Sequence, residues 1–403
     1  HTRYPTVTGV QTCALPIYKL FYLNFNIVLD FKKQVFEDAN IDTCIIVFQN
    51  KSNSTTDCIV SFEKIDDPTS INSKFELEKI NFKYWKEIDK FNCDLTVEKF
   101  TIIEKIKSNS TQLGEVCIIS GGYKPYQVGY GKSIYGDFPQ TEKDIENRVY
   151  HSSQKLSDEY FPDIKGLNIE RYYIKPNSQF VKWGPWLMSP KNIHDFQNPK
   201  IVIREVAGKR LNASIDLKGY FTNDTTHMVR GVERSELLFL LGVINSTLIG
   251  WYFSIFFGES NDLFPKIKVN EVKALPIPKE VNNREIVIKK VDSINYLTQE
   301  FNNLKEVFNK FSIQKFQIDQ ASNKLQNWSS LDFKGFLGEL KKAKVKLSLA
   351  EEAEWMAYFN EQKAKAQALQ ADIDRIDREI DALVYELYGL TEEEIRIVEG
   401  GER

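Results

Sequence analysis

The side chains of this chain most able to do chemistry are its histidines, cysteines and lysines, and their spacing excludes most of what they could do. His151, His194 and His227 lie far apart and make no HExxH or HxH pattern, so no zinc site of that kind is expected and solvated or core histidines are the ordinary reading. Cys13, Cys44, Cys58, Cys93 and Cys117 stand singly, with no CxxC spacing. That argues against zinc and against a redox dithiol, and fits reduced thiols in a cytoplasmic protein. The stretch SGGYKPYQVGYGKS (Ser120–Ser133) ends on the GKS of a phosphate-binding loop. The full GxxxxGK[ST] pattern needs a glycine five residues before Gly131. That position holds Tyr126, whose side chain would keep phosphate off the backbone. No nucleophile–base set stands out, so no catalytic, cofactor-binding or metal-ligating residue is assigned.

The same stretch interleaves planar and cationic groups, Tyr123, Lys124, Tyr126, Tyr130 and Lys132, on what reads as a flexible backbone. Two readings stay open. Such a loop can touch phosphates with lysine and backbone N–H groups and base edges with tyrosine; or it is a glycine turn between strands with its tyrosines on the core. Two further stretches favour nucleic acid. RYYIKPNSQFVKWGPWLMSP carries Arg171, Lys175, Lys182, Trp183 and Trp186. IVIREVAGKRLNASI carries Arg204, Lys209 and Arg210, and Arg230 and Arg234 follow. An arginine at a strand end can grip guanine or phosphate with two parallel hydrogen bonds. Each one singly is an ordinary surface or salt-bridge residue; their clustering is the signal.

The elements that must position these residues divide the 403-residue chain into regions, with room for two or three domains. The formal net charge of −3 does not mark a polyanion binder as a whole, although a basic face can sit within a near-neutral total. In region 18–65, NIVLDF and DTCIIVFQN are short, β-branched and apolar and read as buried strands, joined by KKQVFEDANI. Two strands alone are not a stable sheet, so they read as the end of a larger α/β sheet. Region 66–112 is a polar connector with short strands and a helix, and KSNST, at Lys51 and again at Lys107, reads as a loop both times. Region 113–279 mixes strands with helices and ends on KALPIPK, where two prolines should stop regular structure. Its apolar run Leu237–Phe257 is broken by Gly242, Asn245, Ser246 and Gly250. That predicts a core helix pair and no membrane span. Region 280–403 is helical. Ile373, Ile376, Ile380, Leu383 and Leu387 form a seam expected to pack on a neighbouring helix, Gly389 is a stop signal, and Thr391–Glu394 opens another helix. The fold class is α+β.

The first seventeen residues fit none of this. VTGVQTCALPI (Val7–Ile17) lacks the basic start and long apolar core of a secretory signal. Read back into nucleotides it resembles a common sequencing-library adapter, in frame. Residues 1–17 are therefore expected to be translated adapter, with the gene's own sequence starting near Tyr18, in mid-gene.

Region 113–279 resembles the TaqI-like C-terminal specificity domain of adenine-specific DNA methyltransferases, above all the type IIG restriction-modification enzymes. The resemblance is carried, in order, by GYKPYQVGYGK, KGLNIERYYI, KWGPWLMSPK, PKIVIREVAGKRLNASID, GYFTNDTTHMV, LLGVINSTLIGWYF and LFPKIKVNEVKALPIPK. VFEDANIDTCIIVF resembles the last strands of the family's methyltransferase domain, and EIDALVYELYGLTEEEIRIVEG its usual end. The resemblance implies a parent enzyme that binds S-adenosylmethionine and methylates adenine after flipping it from the stack, with a fused endonuclease in some members. The family's Asn-Pro-Pro-Tyr-type motif and glycine-rich cofactor motif do not occur in this sequence. The resemblance thus implies a fragment that keeps recognition of double-stranded DNA, lacks catalysis, and holds the end of an α/β methyltransferase sheet, a mixed α/β target-recognition domain and a helical C-terminal region. It implies DNA-facing roles for Lys124, Tyr126, Arg171, Lys182, Trp183, Arg204, Lys209 and Arg210. The alternative is a stand-alone specificity subunit that recruits catalytic subunits, or a second copy, through its C-terminal helices.

Overall fold

The computed structural model describes residues 24–31, 43–49, 59–65, 78–87, 95–206, 208–257, 266–279 and 282–400. Residues 1–17, expected to be translated adapter, lie outside the described residues, as do KKQVFEDANI and the first KSNST. Contacts divide the chain into two compact units, His1–Glu104 and Lys105–Arg403.

In the first unit the two apolar segments form β1 (Asn24–Phe31) and β2 (Thr43–Gln49), as their composition predicts. They belong to a four-stranded sheet of order β2-β1-β3-β4, with β3 at Ile59–Ile65 and β4 at Glu78–Asn81. β1 runs antiparallel to β2 and parallel to β3, and β4 closes antiparallel on β3. β4, read in sequence as connector, is therefore an edge strand of this sheet. Phe62 of β3 is buried and meets Trp85 edge-on at 5.8 Å, on helix α1 (Phe82–Glu87). Helix α2 (Val97–Ser108) buries Phe100, Ile103 and Ile106 at three-residue spacing, the stripe a helix needs on one face.

The second unit opens with β5 (Ser110–Gln112), so the second KSNST is a helix end followed by a strand rather than a loop. The main sheet is antiparallel, of order β13-β12-β15-β6, formed by β6 (Ile118–Gly121), β12 (Lys200–Arg204), β13 (Ala213–Asp216) and β15 (Thr226–Arg230). A second sheet has the order β14-β8-β11-β7, with β7 at His151–Ser152, β8 at Tyr160–Ile164, β11 at Phe180–Lys182 and β14 at Phe221–Thr222. β9 (Ile169–Glu170) and β10 (Tyr173–Ile174) form a separate hairpin. Val202 and Met228 lie opposite each other and join apolar clusters around Ile164 and Phe221. Alternation then puts Ile201 and Ile203 on the other face, where helix α3 (Arg234–Asn245) packs on β12 and β13.

Lys200 starts the central strand, wholly buried, and reaches Asp216 at 2.5 Å. Asp216 also accepts the N–H groups of Lys218, Gly219 and Tyr220. A buried charge persists only when paired and hydrogen-bonded in this way.

The prolines of KALPIPK do not stop regular structure. Pro276–Pro278 is strand β16, antiparallel to β5. Leu275 accepts from the Leu113 N–H and Lys279 donates to Asn109, so the ladder uses the residues on either side. The prolines fall on the alternate positions, where no N–H is needed, in a two-stranded ladder with free edges.

The run Leu237–Phe257 is a buried helix pair, α3 and α4 (Thr247–Phe256), bent by 61°. Ser246 makes the break, accepting from the Ile249 N–H at 3.2 Å, and the Asn245 amide closes both backbone groups of Ala213 at 3.0 Å. Among the described residues no single helix is long and apolar enough to cross a membrane.

The C-terminal region holds two long helices, α5 (Arg284–Phe316) and α7 (Leu349–Leu387), with α6 (Phe333–Lys342) between them and α8 (Glu392–Val398) after. Lys290 pairs with Glu379 and Phe311 stacks on Trp355, so α5 and α7 run antiparallel. Ile376, Ile380 and Leu387 of the expected seam are buried; Ile373 and Leu383 are half-buried. Gly389 is left-handed at φ 67° and Thr391 closes a capping box with Glu394. Helices α3, α5 and α7 meet at Gly242, where an added methyl would lie 2.8 Å from Val291 and 3.7 Å from Ile380. Gly242→Val should therefore cost about 1–3 kcal/mol through overpacking in urea unfolding. Gly338→Ala, inside α6 with open space around it, should gain up to about 1 kcal/mol.

Candidate nucleic-acid interface

Register brings the cationic segments to one end of the main sheet. Gly121 ends β6 opposite His227, and His227 faces Ile203, one residue before the end of β12. The segments after β6 and β12 therefore leave from the same end, beside the turn from Thr222 to Thr226. Gly122 makes the first step because nothing larger fits: an added methyl would sit 2.0 Å from the Asn223 carbonyl oxygen. Lys124 follows, tied by backbone hydrogen bonds to Ser189, with its ammonium on the Gln127 amide oxygen at 2.9 Å. Arg204, half-buried, ends β12. Lys209 is exposed in the next loop. Neither Arg204 nor Lys209 has a carboxylate partner among the described residues. Two acids share this end. Glu205 lies 3.7 Å from Lys266. Burial raises the Asp224 carboxyl above its usual value, and Lys124 and Lys266 pull it back.

The glycine-rich stretch is fixed rather than flexible. Gly129 donates to the Gln140 carbonyl, Gln140 to Tyr130, and Lys132 to Trp186, each at 2.9 Å. The buried Gln140 amide bonds Pro125 and Trp186 and accepts from the Gln127 N–H. Gly129 and Gly131 have φ of 82° and 59°, conformations open to glycine at no steric cost. Asp144 anchors the far side, accepting from Ser133, the Ile134 N–H and Thr141. This frame holds Val128, Tyr130, Ile134, Tyr135 and Phe138 in solvent. Lys143 lies over the Tyr135 ring at 4.5 Å, and Lys182, 3.4 Å from Glu159, lies over Trp186 at 4.8 Å.

Tyr126 and Trp183 serve the interior. The Tyr126 oxygen accepts from the Tyr150 N–H and lies 2.8 Å from His151 Nδ1, and burial raises its phenol well above the ordinary value. Tyr123 donates to Asp163 at 2.6 Å. Trp183 meets Tyr123, Phe196 and Phe221 edge-on within 5.2 Å. The turn reading and the nucleic-acid reading of this stretch thus apply to different tyrosines: Tyr123 and Tyr126 pack, Tyr130 is exposed. His227 is buried, its Nε2 2.7 Å from the Ile267 carbonyl, and His194 is exposed. Among the described residues no three metal-ligating side chains gather.

Arg171 and Arg210 turn away onto helix α7. Arg171 grips Asp377 with both terminal nitrogens, at 2.5 and 3.0 Å. Arg210 bridges Asp377 at 3.0 Å and Asp381 at 2.9 Å. Asp381 also accepts from the Thr247 N–H and hydroxyl, at the start of α4. Burial opposes the charge on Arg171, but Tyr172 and Asp377 outweigh it and raise its pKa. Burial raises the Asp381 carboxyl despite Thr247 and Arg210. The two acids escaped the sequence reading because charges beside a helical seam were taken as solvated. Their four-residue spacing, one step after Ile376 and Ile380, was the available signal.

The described geometry is that of a mixed α/β domain followed by a helical region. Residues 161–277 match the TaqI-like C-terminal specificity domain, and residues 280–384 match a domain of unknown function (DUF8810). The chain thus carries a specificity domain of the TaqI-like kind. Among solved structures it is similar to the type IIL restriction-modification enzyme MmeI, solved in complex with DNA, at 11% identity and a TM-score of 0.36, over 88% of this chain and 47% of that one. It is also similar to the type IIG restriction endonuclease BpuSI, at 11% identity and a TM-score of 0.35, over 92% of this chain and 45% of that one. The chain spans about half the length of each. No curated protein matches it.

The fixed loop makes a pH prediction. Burial opposes the Asp144 charge, yet donors from Thr141, Ile134 and Ser133 hold its carboxyl below the ordinary value of 3.8. A depressed carboxyl contributes stability above its unfolded pKa and loses it as pH falls through the folded one. Limited proteolysis at 128–140 should accelerate below about pH 4, and Asp144→Asn should show that faster cleavage already at pH 7.

Proposed function

We propose that this chain is the target-recognition part of a bacterial restriction-modification enzyme and reads double-stranded DNA with the loops that leave one end of the β13-β12-β15-β6 sheet. The observation that carries the reading is the gathering of Lys124, Arg204 and Lys209 at that end, within a matched specificity domain. In this reading Lys124 and Lys209 contact phosphates and set the register, and Arg204 reaches a base edge. Lys182 adds a phosphate contact beside the exposed Tyr130 loop. Tyr126 and Trp183 act from beneath, holding that loop. Arg171 and Arg210 act through α7.

The parent protein, in the same reading, is a cytoplasmic adenine-specific methyltransferase of the type IIG kind, with or without a fused endonuclease. The sheet of the first unit is the end of its methyltransferase domain, which the exposed Ile45 and Val47 of β2 support. S-adenosylmethionine would supply the methyl group there, and no step through it falls to the described residues of this chain.

Arg204→Ala with Lys209→Ala should weaken binding to duplex DNA and lower the slope of log K against log salt by about 2, one released counterion per lost phosphate contact, with unchanged far-UV circular dichroism. Arg210→Ala should instead lower thermal stability. Unchanged DNA binding in the double variant would exclude this face. The chain alone should transfer no methyl group from labelled S-adenosylmethionine to DNA, and detectable transfer would contradict its assignment as a recognition fragment.

A further inference from the structure

We propose that the end of the helical arm, around Lys341, Lys344 and Lys346, is a second contact to the DNA backbone, outside the sequence read by the specificity domain. It rests on the reading above that this chain binds duplex DNA.

The arm is built from α5 and α7, and its far end is closed by the segment 317–348. Phe308, Trp328, Phe336, Trp355 and Phe359 pack there, with Phe308 on Trp328 at 3.9 Å. This end is rigid enough to present a surface. Along the arm, cations have partners: Lys290 holds Glu379, Lys310 holds Glu306, Lys365 holds Glu361, and Arg375 holds Asp372 and Glu379. At the end the pattern changes. Segment 317–348 has six lysines against Asp319, Asp332 and Glu339. Two of those acids are committed internally. Asp332 caps α6 through the Gly335 N–H, and Glu339 is buried and taken by Lys342 and Ser322. Lys341, Lys344 and Lys346 have no ion pair among the described residues, yet they line one shallow cleft of about 500 Å³. Glu352 lines it too. Lys344 stands at φ 63° and its N–H bonds the Lys341 carbonyl, so a tight turn fixes the convergence. Like charges held together without partners are unfavourable, and a polyanion relieves that. A regular array of phosphates matches the spacing better than an acidic side chain would, because three separated ammonium groups need three anions.

Geometry sets the distance. Arg210, next to the proposed DNA-contacting Lys209, is fixed to Asp377 of α7. From Asp377 back to Leu349 is 28 residues of helix, or about 42 Å at 1.5 Å per residue. That corresponds to about 12 base pairs of duplex at 3.4 Å each. A short duplex filled by the specificity domain would miss the arm; a longer one would reach it.

The test is fluorescence anisotropy of the full chain with labelled 15- and 40-base-pair duplexes of randomised sequence, titrated over salt. The slope of log K against log salt is unaffected by the greater number of sites on the longer DNA. It should be steeper by about 2–3 on 40 base pairs, as three phosphate contacts require. Substituting Lys341, Lys344 and Lys346 together by Gln should make the two slopes equal, and substituting all three by Arg should keep them different. Binding to the 15-base-pair duplex should be the same in all three proteins, which also reports intact folding. Equal slopes for the unaltered chain, or a glutamine variant that keeps the difference, would overturn the arm contact while leaving the specificity-domain reading intact; in the second case the lysines serve a protein partner. Salt-insensitive or absent binding to both duplexes would overturn the underlying reading and the arm contact with it.

Discussion

The arrangement of this molecule depends on two carboxylates of one helix. Asp377 and Asp381 lie on the buried side of α7 and take two guanidinium groups and the first N–H of another helix, from three different parts of the specificity domain. A solvent-exposed pair is worth about 0–1 kcal/mol. This network is different, because its members are largely buried and Asp377 serves both arginines at once. Removing one such partner leaves charge without compensation, which typically costs about 3–5 kcal/mol. Gly242 makes the same point in shape rather than charge: α3, α5 and α7 approach closely only where a side chain is missing. Together they set α7 at a defined place on the specificity domain, and the arm that α7 forms inherits that placement.

The same constraint sorts the cations of the domain. Composition presents Arg171, Lys182, Arg204, Lys209 and Arg210 as one basic group. Hydrogen bonding divides them. Arg171 and Arg210 spend their donors on α7, Lys182 lies over Trp186, and Arg204 and Lys209 are left facing outward at the sheet end. A DNA-binding surface needs charge that is not neutralised from within, so the second group carries the proposed interface. Lys200 is the extreme of the first group, a lysine that starts the central strand and never meets solvent.

Much of this was legible in the sequence where one local rule decides. The two strands of the first unit followed from β-branched apolar runs, the helix pair at Leu237–Phe257 from an interrupted apolar run, and the ends of α7 and α8 from Gly389 and Thr391. The order of motifs across region 113–279 pointed to the specificity domain that the match at 161–277 shows. What stayed hidden depends on contacts between distant segments. Asp377 and Asp381 read as solvated until Arg171 and Arg210 were brought to them. The stretch after Gly121 read as flexible because its two organisers, Gln140 and Asp144, lie beyond it and say nothing locally. The prolines of β16 read as breakers because only a partner strand shows which N–H groups are dispensable. Tyr126 and Trp183 looked like DNA-facing aromatics because residue type does not distinguish a stacking ring from a core ring.

The central claim, that duplex DNA lies on the sheet end from which the Gly122 and Arg204 loops emerge, is tested most directly by hydrogen–deuterium exchange of the full chain with and without a duplex of randomised sequence. The account predicts slowed exchange in peptides covering 122–132 and 205–212, while residues 377–387 of α7, already buried and hydrogen-bonded, stay unchanged. Saturating DNA that leaves both loops unprotected, or that protects only surfaces away from this end, would contradict it.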